Sequence, residues 1–230
     1  MGDFADVASV ILTRAERRVE VSAQNLSNIT TPGYKRRVSF ASFLANTDKT
    51  TSQSLATDFT SGKPIDTRNP YDLAIVGDGF FSVRSPNGLL YTRQGQFHRD
   101  SDGRVTSAQG YPLQVQGGGD LVLKGGDMKV LADGTVLEDG EPRARVAVVT
   151  VADPRTLTDA EGGMFRAPDT AVAAMDSPSV RQGMLEASNV TTGDEMISIM
   201  EALRQAETGQ RLVNVYDDLL GRALTVFGQV

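Results

Sequence analysis

The sequence predicts an α+β fold in which a helix at each end of the chain brackets a central all-β domain. Small and apolar residues recur near both termini at alternating steps of three and four, the spacing of helices that pair along a seam. The stretch between them is rich in Gly, Asp-Gly pairs and alternating β-branched residues, which is typical of strands joined by turns.

These patterns divide the chain into three parts. We expect the N- and C-terminal helices to pair into a coiled-coil-like terminal domain formed by residues 1–33 and 186–230. Residues 34–66 are predicted to be an extended connector, and residues 67–185 a β-rich central domain. Helical ends around a β-rich insert indicate an assembly subunit rather than an enzyme.

The first helix is predicted from about residue 3 to residue 29. Its seam is formed by Ala8, Leu12, Ala15, Val19, Ser22, Leu26 and Ile29. Pro32 and Gly33 end the helix, because proline lacks an N–H donor and glycine permits a turn. Asn25 and Asn28 fall in its last turns, where their side chains can bond free backbone carbonyls.

Strand patterns begin at Asp72, after the connector. Turn signals then follow at Pro86-Asn87-Gly88, Asp100-Ser101-Asp102-Gly103, Asp133-Gly134 and Asp139-Gly140. Short strands at such intervals predict a sandwich or a barrel-like domain. Its core is expected to take its bulk from four aromatic residues, namely Phe80, Phe81, Tyr91 and Phe97.

The second helix is predicted from about residue 193 to residue 226, with Thr192 and Glu195 spaced as a capping box. Its predicted seam is Met196, Ile199, Leu203, Ala206, Gln210, Val213, Asp217, Leu220, Leu224 and Phe227. Gly209 and Gly221 weaken the helix, since an internal glycine costs about 1 kcal/mol relative to alanine. The helix is therefore expected to depend on partner helices.

The simplest pairing of the two helices is antiparallel. In that arrangement the arginines of the first helix are expected near the acidic end of the second helix. The residues concerned are Arg14, Arg17 and Arg18 on one side and Asp217 and Asp218 on the other.

Composition argues against several classes of protein. The net charge is −6, whereas a nucleic-acid binder is expected to carry a basic stripe. No apolar run reaches the roughly 18 residues of a membrane span. Cysteine is absent, so no disulfide or thiolate metal site can form. The first residues include Asp3 and Asp6 and do not resemble a cleaved signal peptide.

Candidates for catalysis or ligand binding are few. His98 is the single histidine, and no nucleophile pattern surrounds it. Gly77-Asp78-Gly79 is not followed by the Lys-Ser/Thr of a phosphate loop. Asp100 to Gly103 resembles the start of a calcium loop without its closing glutamate, so a turn is preferred. We therefore predict no catalytic residue, no cofactor and no metal site.

Five stretches resemble the bacterial flagellar rod and hook proteins. They are AQNLSNITTPGYKR at 23–36, DLAIVGDGFF at 72–81, YTRQGQF at 91–97, DGRVTSAQGYP at 102–112 and QGMLEASNV at 182–190. They occur in the family's order, and the resemblance extends from about residue 22 to residue 208.

The resemblance implies a structural subunit of the flagellar basal-body rod that polymerises into the helical drive shaft and transmits torque. It implies self-association, contact with other rod subunits and passage through the flagellar export apparatus, without a small-molecule substrate or membrane insertion. The implied location is the periplasmic rod, reached without a cleaved signal peptide. The chain is most similar to the proximal-rod members; a distal-rod or hook-type subunit is the alternative within the family.

The assembly residues predicted from the seams and the helix exit are Leu12, Val19, Asn25, Leu26, Asn28, Pro32, Gly33, Tyr34, Met196, Leu203, Gln210, Val213 and Leu220. From the residues alone, a different class stays open. It is a β-domain binding module or an assembly chaperone with coiled-coil arms. A hydrolase that uses His98 is the third reading.

Overall fold

The computed structural model describes residues 3–41, 53–160 and 162–227. Within these residues a long α-helix precedes a β-rich region and a second long helix follows it, which confirms the α+β class. Helix α1 spans Asp3–Ser27 and helix α2 spans Thr192–Phe227. Neither described helix is long and apolar enough to cross a membrane.

Short strands fill the region between the helices. They are β1 Arg37–Ala41, β2 Gln53–Thr57, β3 Pro64–Asp66, β4 Leu73–Ile75, β5 Phe80–Ser85, β6 Gly88–Thr92, β7 Phe97–Arg99, β8 Val105–Ser107, β9 Met128–Val130, β10 Thr135–Glu138, β11 Glu141–Arg145, β12 Val148–Val151, β13 Thr158–Asp159, β14 Met164–Arg166, β15 Val172–Ala174, β16 Val180–Gln182 and β17 Met184–Glu186. Residues 34–66, expected as an extended connector, thus carry β1, β2 and β3.

The chain divides into two compact units, each assembled from segments distant in sequence. The helical unit comprises Met1–Asn28, Arg37–Ala56 and Val190–Val230. The β unit comprises Ile29–Arg36 and Thr57–Asn189. The short segment 29–36, which directly follows α1, therefore belongs to the β unit.

The centre of the β unit is a six-stranded antiparallel sheet in the order β13-β14-β6-β5-β12-β15. Because successive side chains of a strand point to opposite faces, Phe80 and Phe81 enter different cores. Phe81 meets Phe97 edge to face at 5.4 Å, and Phe80 packs in the smaller core with Tyr91 and Phe165. The four aromatic residues predicted for the core are all buried, which confirms that prediction.

Smaller sheets complete the larger core. A three-stranded sheet β11-β10-β9 and the pairs β16-β4 and β7-β8 supply buried aliphatic residues to it, among them Leu73, Val105, Val136 and Val180. The predicted turns close hairpins as expected: β5 pairs with β6, β7 with β8, β9 with β10, and β10 with β11. Turn chemistry therefore accounts for these four hairpin pairs, whereas β14-β6, β12-β5, β16-β4 and β17-β3 are paired by the tertiary fold.

Glu138, at the end of β10, is a carboxylate buried against backbone. Its Oε1 accepts hydrogen bonds from the consecutive N–H groups of Lys124, Gly125 (2.9 Å) and Gly126. Its Oε2 lies 2.9 Å from Arg143 Nε in an ion pair that lacks the alignment of a hydrogen bond. Burial alone would raise the pKa of this carboxyl, but the backbone hydrogen bonds and Arg143 outweigh it and lower the pKa below 4.5.

Glu138→Gln should remove a stabilising contribution that depends on pH. Because the pKa is lower in the folded chain, the carboxylate stabilises the fold fully above about pH 4.5 and loses this effect as pH falls through the folded-state value. We expect a lower Tm for Glu138→Gln at neutral pH and a difference that closes in acid. Glu141→Gln, exposed on β11, is the control. A gap of equal size at every pH would contradict the role of Glu138.

Candidate assembly site

Helices α1 and α2 lie side by side in the helical unit and run antiparallel. Three contacts define their register: Ser22 with Ser198 (3.0 Å), Arg18 with Glu201, and Leu12 with Gly209. Each step back along α1 is matched by a nearly equal step forward along α2. The helices therefore run in opposite directions, as the sequence predicted.

The predicted ion pairs between the helices are wrong. Arg18 pairs with Glu201, Arg17 with Glu20 of its own helix, and Asp218 with Arg222. The sequence alone could not fix the register, because small residues repeat at equal spacing along both helices. A shift of whole turns leaves that pattern unchanged.

The seam of α1 follows the predicted spacing. Ala8, Ala15 and Ser22 are buried, and Leu12, Val19 and Leu26 are half-buried. The buried positions are small, so the backbone of the partner helix can come close. Gly209 serves the same purpose in α2, since a Cβ there would lie 3.2 Å from side-chain carbons of Ile11 and Leu12.

The seam of α2 differs from the predicted one at every second position. Its buried and half-buried members are Glu195, Ser198, Ile199, Ala202, Ala206, Gly209, Val213 and Tyr216. The predicted seam positions Met196, Leu203, Gln210 and Asp217 are exposed, so for these four the seam prediction is wrong. The close approach of the helices selects Ala202 and Gly209 and leaves larger side chains outside.

The side chains of Leu220, Leu224 and Phe227 lie outside the part of the chain that the structure describes. The predicted role of all these residues in assembly stays a prediction, including that of Leu220. For Met196 and Leu203, exposure on the helical unit leaves the side chains accessible to another molecule.

The start of α2 also differs from the sequence pattern. Thr191, rather than Thr192, accepts the first helical hydrogen bond, from Glu195 N, and its hydroxyl bonds Asp194. The capping residues are thus shifted back by one position. This shift leaves the side chain of Glu195 available for the seam, where it is buried.

The two asparagines at the end of α1 make different hydrogen bonds. Asn28 Nδ2 donates to the backbone carbonyl of Gln24 at 2.9 Å, as expected. Buried Asn25 instead bonds both backbone groups of Arg37, donating to its oxygen at 2.8 Å and accepting from its nitrogen at 2.9 Å. Asn25 therefore fixes the first residue of β1 against the helix.

Gly33 marks a close backbone approach inside the β unit. Its φ is +70°, and its N–H donates to Glu186 O at 2.7 Å. A Cβ at Gly33 would lie 2.5 Å from backbone atoms of Arg93. Pro32 is half-buried before it and Tyr34 is buried after it, so the Pro-Gly-Tyr stretch is packed into the β unit.

The residue after this stretch, Lys35, belongs to a buried ion cluster. Glu186 Oε1 lies 2.6 Å from Lys35 Nζ, and Glu186 Oε2 lies 3.2 Å from Arg93 Nη1. All three side chains are at most 4% exposed. Gly62 N also donates to Glu186 Oε1, at 2.8 Å. One carboxylate thus joins the segment after α1, the end of β6 and the last strand of the β unit.

The cluster holds two cations and one anion, so backbone carbonyls complete it. Lys35 donates to Thr60 O at 2.8 Å, and Arg93 donates to Gly77 O at 2.6 Å. Burial lowers the pKa of Lys35 and that of Arg93 from their ordinary values, although Glu186 acts in the opposite direction on both. A buried charge of this kind persists only when it is paired and hydrogen-bonded.

Asn189 adds hydrogen bonds beside the ion cluster. We name the cluster of Lys35, Arg93 and Glu186 together with Asn189 the junction. Its Nδ2 donates to Asp58 O at 2.8 Å and to Thr60 O at 3.1 Å, while its Oδ1 accepts from Arg36 N at 2.7 Å. Three of the five stretches that carry the family resemblance therefore meet here. The stretch 23–36 supplies Lys35, 91–97 supplies Arg93, and 182–190 supplies Glu186 and Asn189.

Sequence reasoning did not select these charged residues as a site. The available signal was that Arg93 and Glu186 are each the single charged residue of their stretch, and that Lys35 lies in a stretch that ends in two basic residues. Opposite charges in three separate stretches could have suggested a buried pairing, but the spacing along the chain gives no hint of which residues meet.

Exposed apolar side chains form two stripes on α2 at helical spacing. Met196, Met200 and Leu203 are 53%, 48% and 52% exposed, and Leu212, Val215 and Leu219 are 39%, 57% and 60% exposed. Exposed apolar residues grouped in this way are typical of surfaces that contact another protein. We name the first set the methionine stripe.

The polar residues weighed as ligands have local partners. Asp100 Oδ1 accepts hydrogen bonds from Asp102 N and Arg104 N at 2.9 and 2.8 Å, so it closes the turn between β7 and β8. His98 Nε2 lies 3.2 Å from Thr106 Oγ1. In the described ranges, no group of three or more His, Asp or Glu side chains could hold a metal ion.

Family comparison places this fold among the flagellar hook and rod proteins. The family model described as flagellar hook protein FlgE/F/G D1 domain matches residues 74–140. The model described as flagellar basal body rod FlgEFG protein C-terminal matches residues 181–226. The second match includes Glu186 and Asn189 of the junction and most of α2.

Individual relatives agree over nearly the whole chain, which belongs to the flagellar rod and hook protein family. The flagellar basal-body rod protein FlgF of Salmonella typhimurium is 31% identical over 88% of this chain and 89% of the relative. FlgF of Caulobacter vibrioides is 29% identical over 93% of both chains. FlgG of Bacillus subtilis, also a basal-body rod protein, is 26% identical over 89% of this chain and 91% of the relative.

Glu186→Gln should destabilise the β unit strongly, because it leaves two buried cations without their carboxylate. Removing one partner of a buried ion pair typically costs about 3–5 kcal/mol. Lys35→Met should cost less, since it leaves the Arg93–Glu186 pair intact. Urea unfolding followed by circular dichroism measures both. Equal effects for the two variants would refute the central position of the carboxylate.

Gly33→Ala should cost more than Gly110→Ala, and the comparison separates backbone strain from crowding. Gly110 has a φ of +83°, and a methyl group added there would meet nothing within 4 Å, so its substitution should cost about 1–2 kcal/mol. Gly33→Ala adds a clash with rigid backbone, for a further ~1–3 kcal/mol. The free energies of unfolding provide the test, and equal losses would show that the close approach is unimportant.

Proposed function

We propose that this chain is a structural subunit of the bacterial flagellar basal-body rod. In this role it polymerises with copies of itself and with other rod proteins into the helical shaft that transmits torque. The observation that carries the proposal is the likeness to basal-body rod proteins over 88–93% of the chain. That likeness includes both the β unit and α2, so it is not confined to a shared domain.

The helical unit is the proposed assembly element. We infer that α1 and α2 act as a coiled-coil-like pair whose small seam residues keep the helices close, as knobs-into-holes packing requires at short interaxial distance. The methionine stripe then faces neighbouring subunits together with Gln210. A helical shaft requires heterologous contacts whose rotation does not close a ring.

The β unit supplies the rigid part of the proposed subunit. Torque transmission needs a body that does not deform, and the cluster of Lys35, Arg93 and Glu186 ties its first and last segments together. Asn25, Asn28, Pro32, Gly33 and Tyr34 have the proposed task of fixing where the chain leaves α1.

Within the family we propose a proximal-rod subunit. Relatives named FlgF match at 27–31% identity and those named FlgG at 25–27%. A distal-rod or hook-type subunit is the second candidate, because the FlgG relatives cover similar shares of the chain. The proposal includes passage through the flagellar export apparatus and a periplasmic position in the rod.

Location in isolated basal bodies tests the function directly. A tagged copy of the chain should co-purify with the rod and remain there after washing in high salt. A β-domain binding module or a chaperone would be washed away or stay monomeric, and electron microscopy of the concentrated protein would then show no elongated assemblies.

The double change Met200→Glu and Leu203→Glu should abolish incorporation into the rod while leaving the isolated chain folded. Both side chains are about half exposed, so the change should alter the free energy of unfolding by about 0.5 kcal/mol or less. Basal-body content and thermal melts are the two readouts. Leu89→Glu, 45% exposed on the β unit, is the matched control and should incorporate normally. Normal incorporation of the double variant would exclude the methionine stripe from assembly.

A further inference from the structure

The helical unit has a basic groove on one flank. Arg14 and Arg18 of α1 and Arg204 of α2 line it, together with Ser39 of β1, and its volume is about 530 Å³. Arg18 pairs with Glu201, whereas Arg204 makes no ion pair with any described residue. Among the described residues that line the groove, three are arginines and none is a carboxylate, so this lining carries an excess of positive charge. We name it the basic flank.

A second groove, of about 400 Å³, carries the opposite charge. Glu16 of α1 and Asp217 of α2 line it with Ser9 and Thr13. Neither carboxylate forms an ion pair within the described part of the chain. We name this groove the acidic flank.

The two flanks face opposite sides of the helix pair. With 3.6 residues per turn, Glu16 lies about 160° around α1 from both Arg14 and Arg18, and Asp217 lies about 140° around α2 from Arg204. A helix pair with unlike charges on opposite sides can be placed beside a copy of itself so that basic and acidic grooves meet. Two copies related by a twofold axis would instead bring like charges together.

Apolar surface accompanies the basic flank. Ile197 and Val215 lie about 20° from Arg204 around α2 and are 53% and 57% exposed. A contact on this side would therefore bury apolar area as well as pair charges. Charge complementarity mainly sets orientation and register, and the burial of these side chains supplies the hydrophobic part.

We propose that the basic flank of one copy receives the acidic flank of a second copy of this chain, so that helix pairs pack side by side in one direction. The contact is heterologous and can repeat from copy to copy. It rests on the proposed rod function and names the partner and the surfaces used. Arg204 faces Glu16 and Asp217 of the neighbour.

Cysteine cross-linking tests this contact directly, because the natural chain contains no cysteine. Thr208 lies in the basic flank and Thr13 in the acidic flank, and both are exposed. Purified full-length Thr208→Cys and Thr13→Cys chains, one of them tagged, are mixed at high concentration and oxidised. The proposal expects mixed dimers in excess of either homodimer. Homodimers alone, or no dimer, would overturn it.

Reversing the charge of Arg204 tests whether the cross-link depends on the proposed charge pairing. Arg204→Glu in the Thr208→Cys chain should lower the yield of mixed dimers about tenfold or more, since like charges at an interface cost several kcal/mol. Adding Asp217→Arg to the Thr13→Cys chain should restore the yield. Arg166→Glu, an exposed change of equal charge on β14 of the β unit, should have little effect. A loss that Asp217→Arg does not repair would overturn the pairing of these flanks.

A chain that carries both Thr208→Cys and Thr13→Cys, oxidised in basal bodies, separates this proposal from the rod function. A chain that co-purifies with the rod but cross-links to a different rod protein, or to nothing, disproves the pairing of like copies and leaves the rod function standing. A chain absent from basal bodies disproves the rod function, whatever dimers it forms in solution.

Discussion

The carboxylate of Glu186 is the interaction on which the β unit most depends. It pairs with Lys35 and Arg93 in a buried site, and its own backbone oxygen accepts the N–H of Gly33. Burying two cations is unfavourable by itself, as their lowered pKa values indicate. Each of the three charged side chains is therefore tolerated in the interior because the others compensate its charge. Hydrophobic packing, by contrast, tolerates the exchange of one member for another of similar volume at a cost usually below about 1.5 kcal/mol.

The helical unit follows a different principle. Its seam is built from small residues, and polar contacts such as Ser22–Ser198 and Arg18–Glu201 specify the register. Large apolar residues, which would stabilise an isolated pair, lie outside on α2. This distribution suits helices that complete their burial against other subunits, and it leaves unlike charges on the two flanks to orient those subunits.

The sequence predicted the features that depend on local chemistry. The Asp-Gly and Pro-Asn-Gly turns, the seam spacing of α1 and the buried aromatic residues of β5, β6 and β7 all follow from neighbouring residues. The register of the helices and the seam of α2 did not follow, because Met196 and Leu203 fit a three-four rhythm as well as Ala202 and Gly209 do. The ion cluster was missed for another reason: Lys35, Arg93 and Glu186 meet through the tertiary fold, and no short-range pattern signals it.

The distance along the chain between the members of that cluster has a consequence for synthesis. Lys35 and Glu186 are 151 residues apart, and Arg93 and Glu186 are 93 residues apart. A ribosome therefore releases both cations long before it releases their carboxylate, and β3 likewise waits for its partner β17. Contacts so distant in sequence close slowly. The cluster and the β3–β17 pair therefore cannot close before the last strand of the β unit emerges, which gives a cell a period in which most of the chain is made but these contacts are still missing.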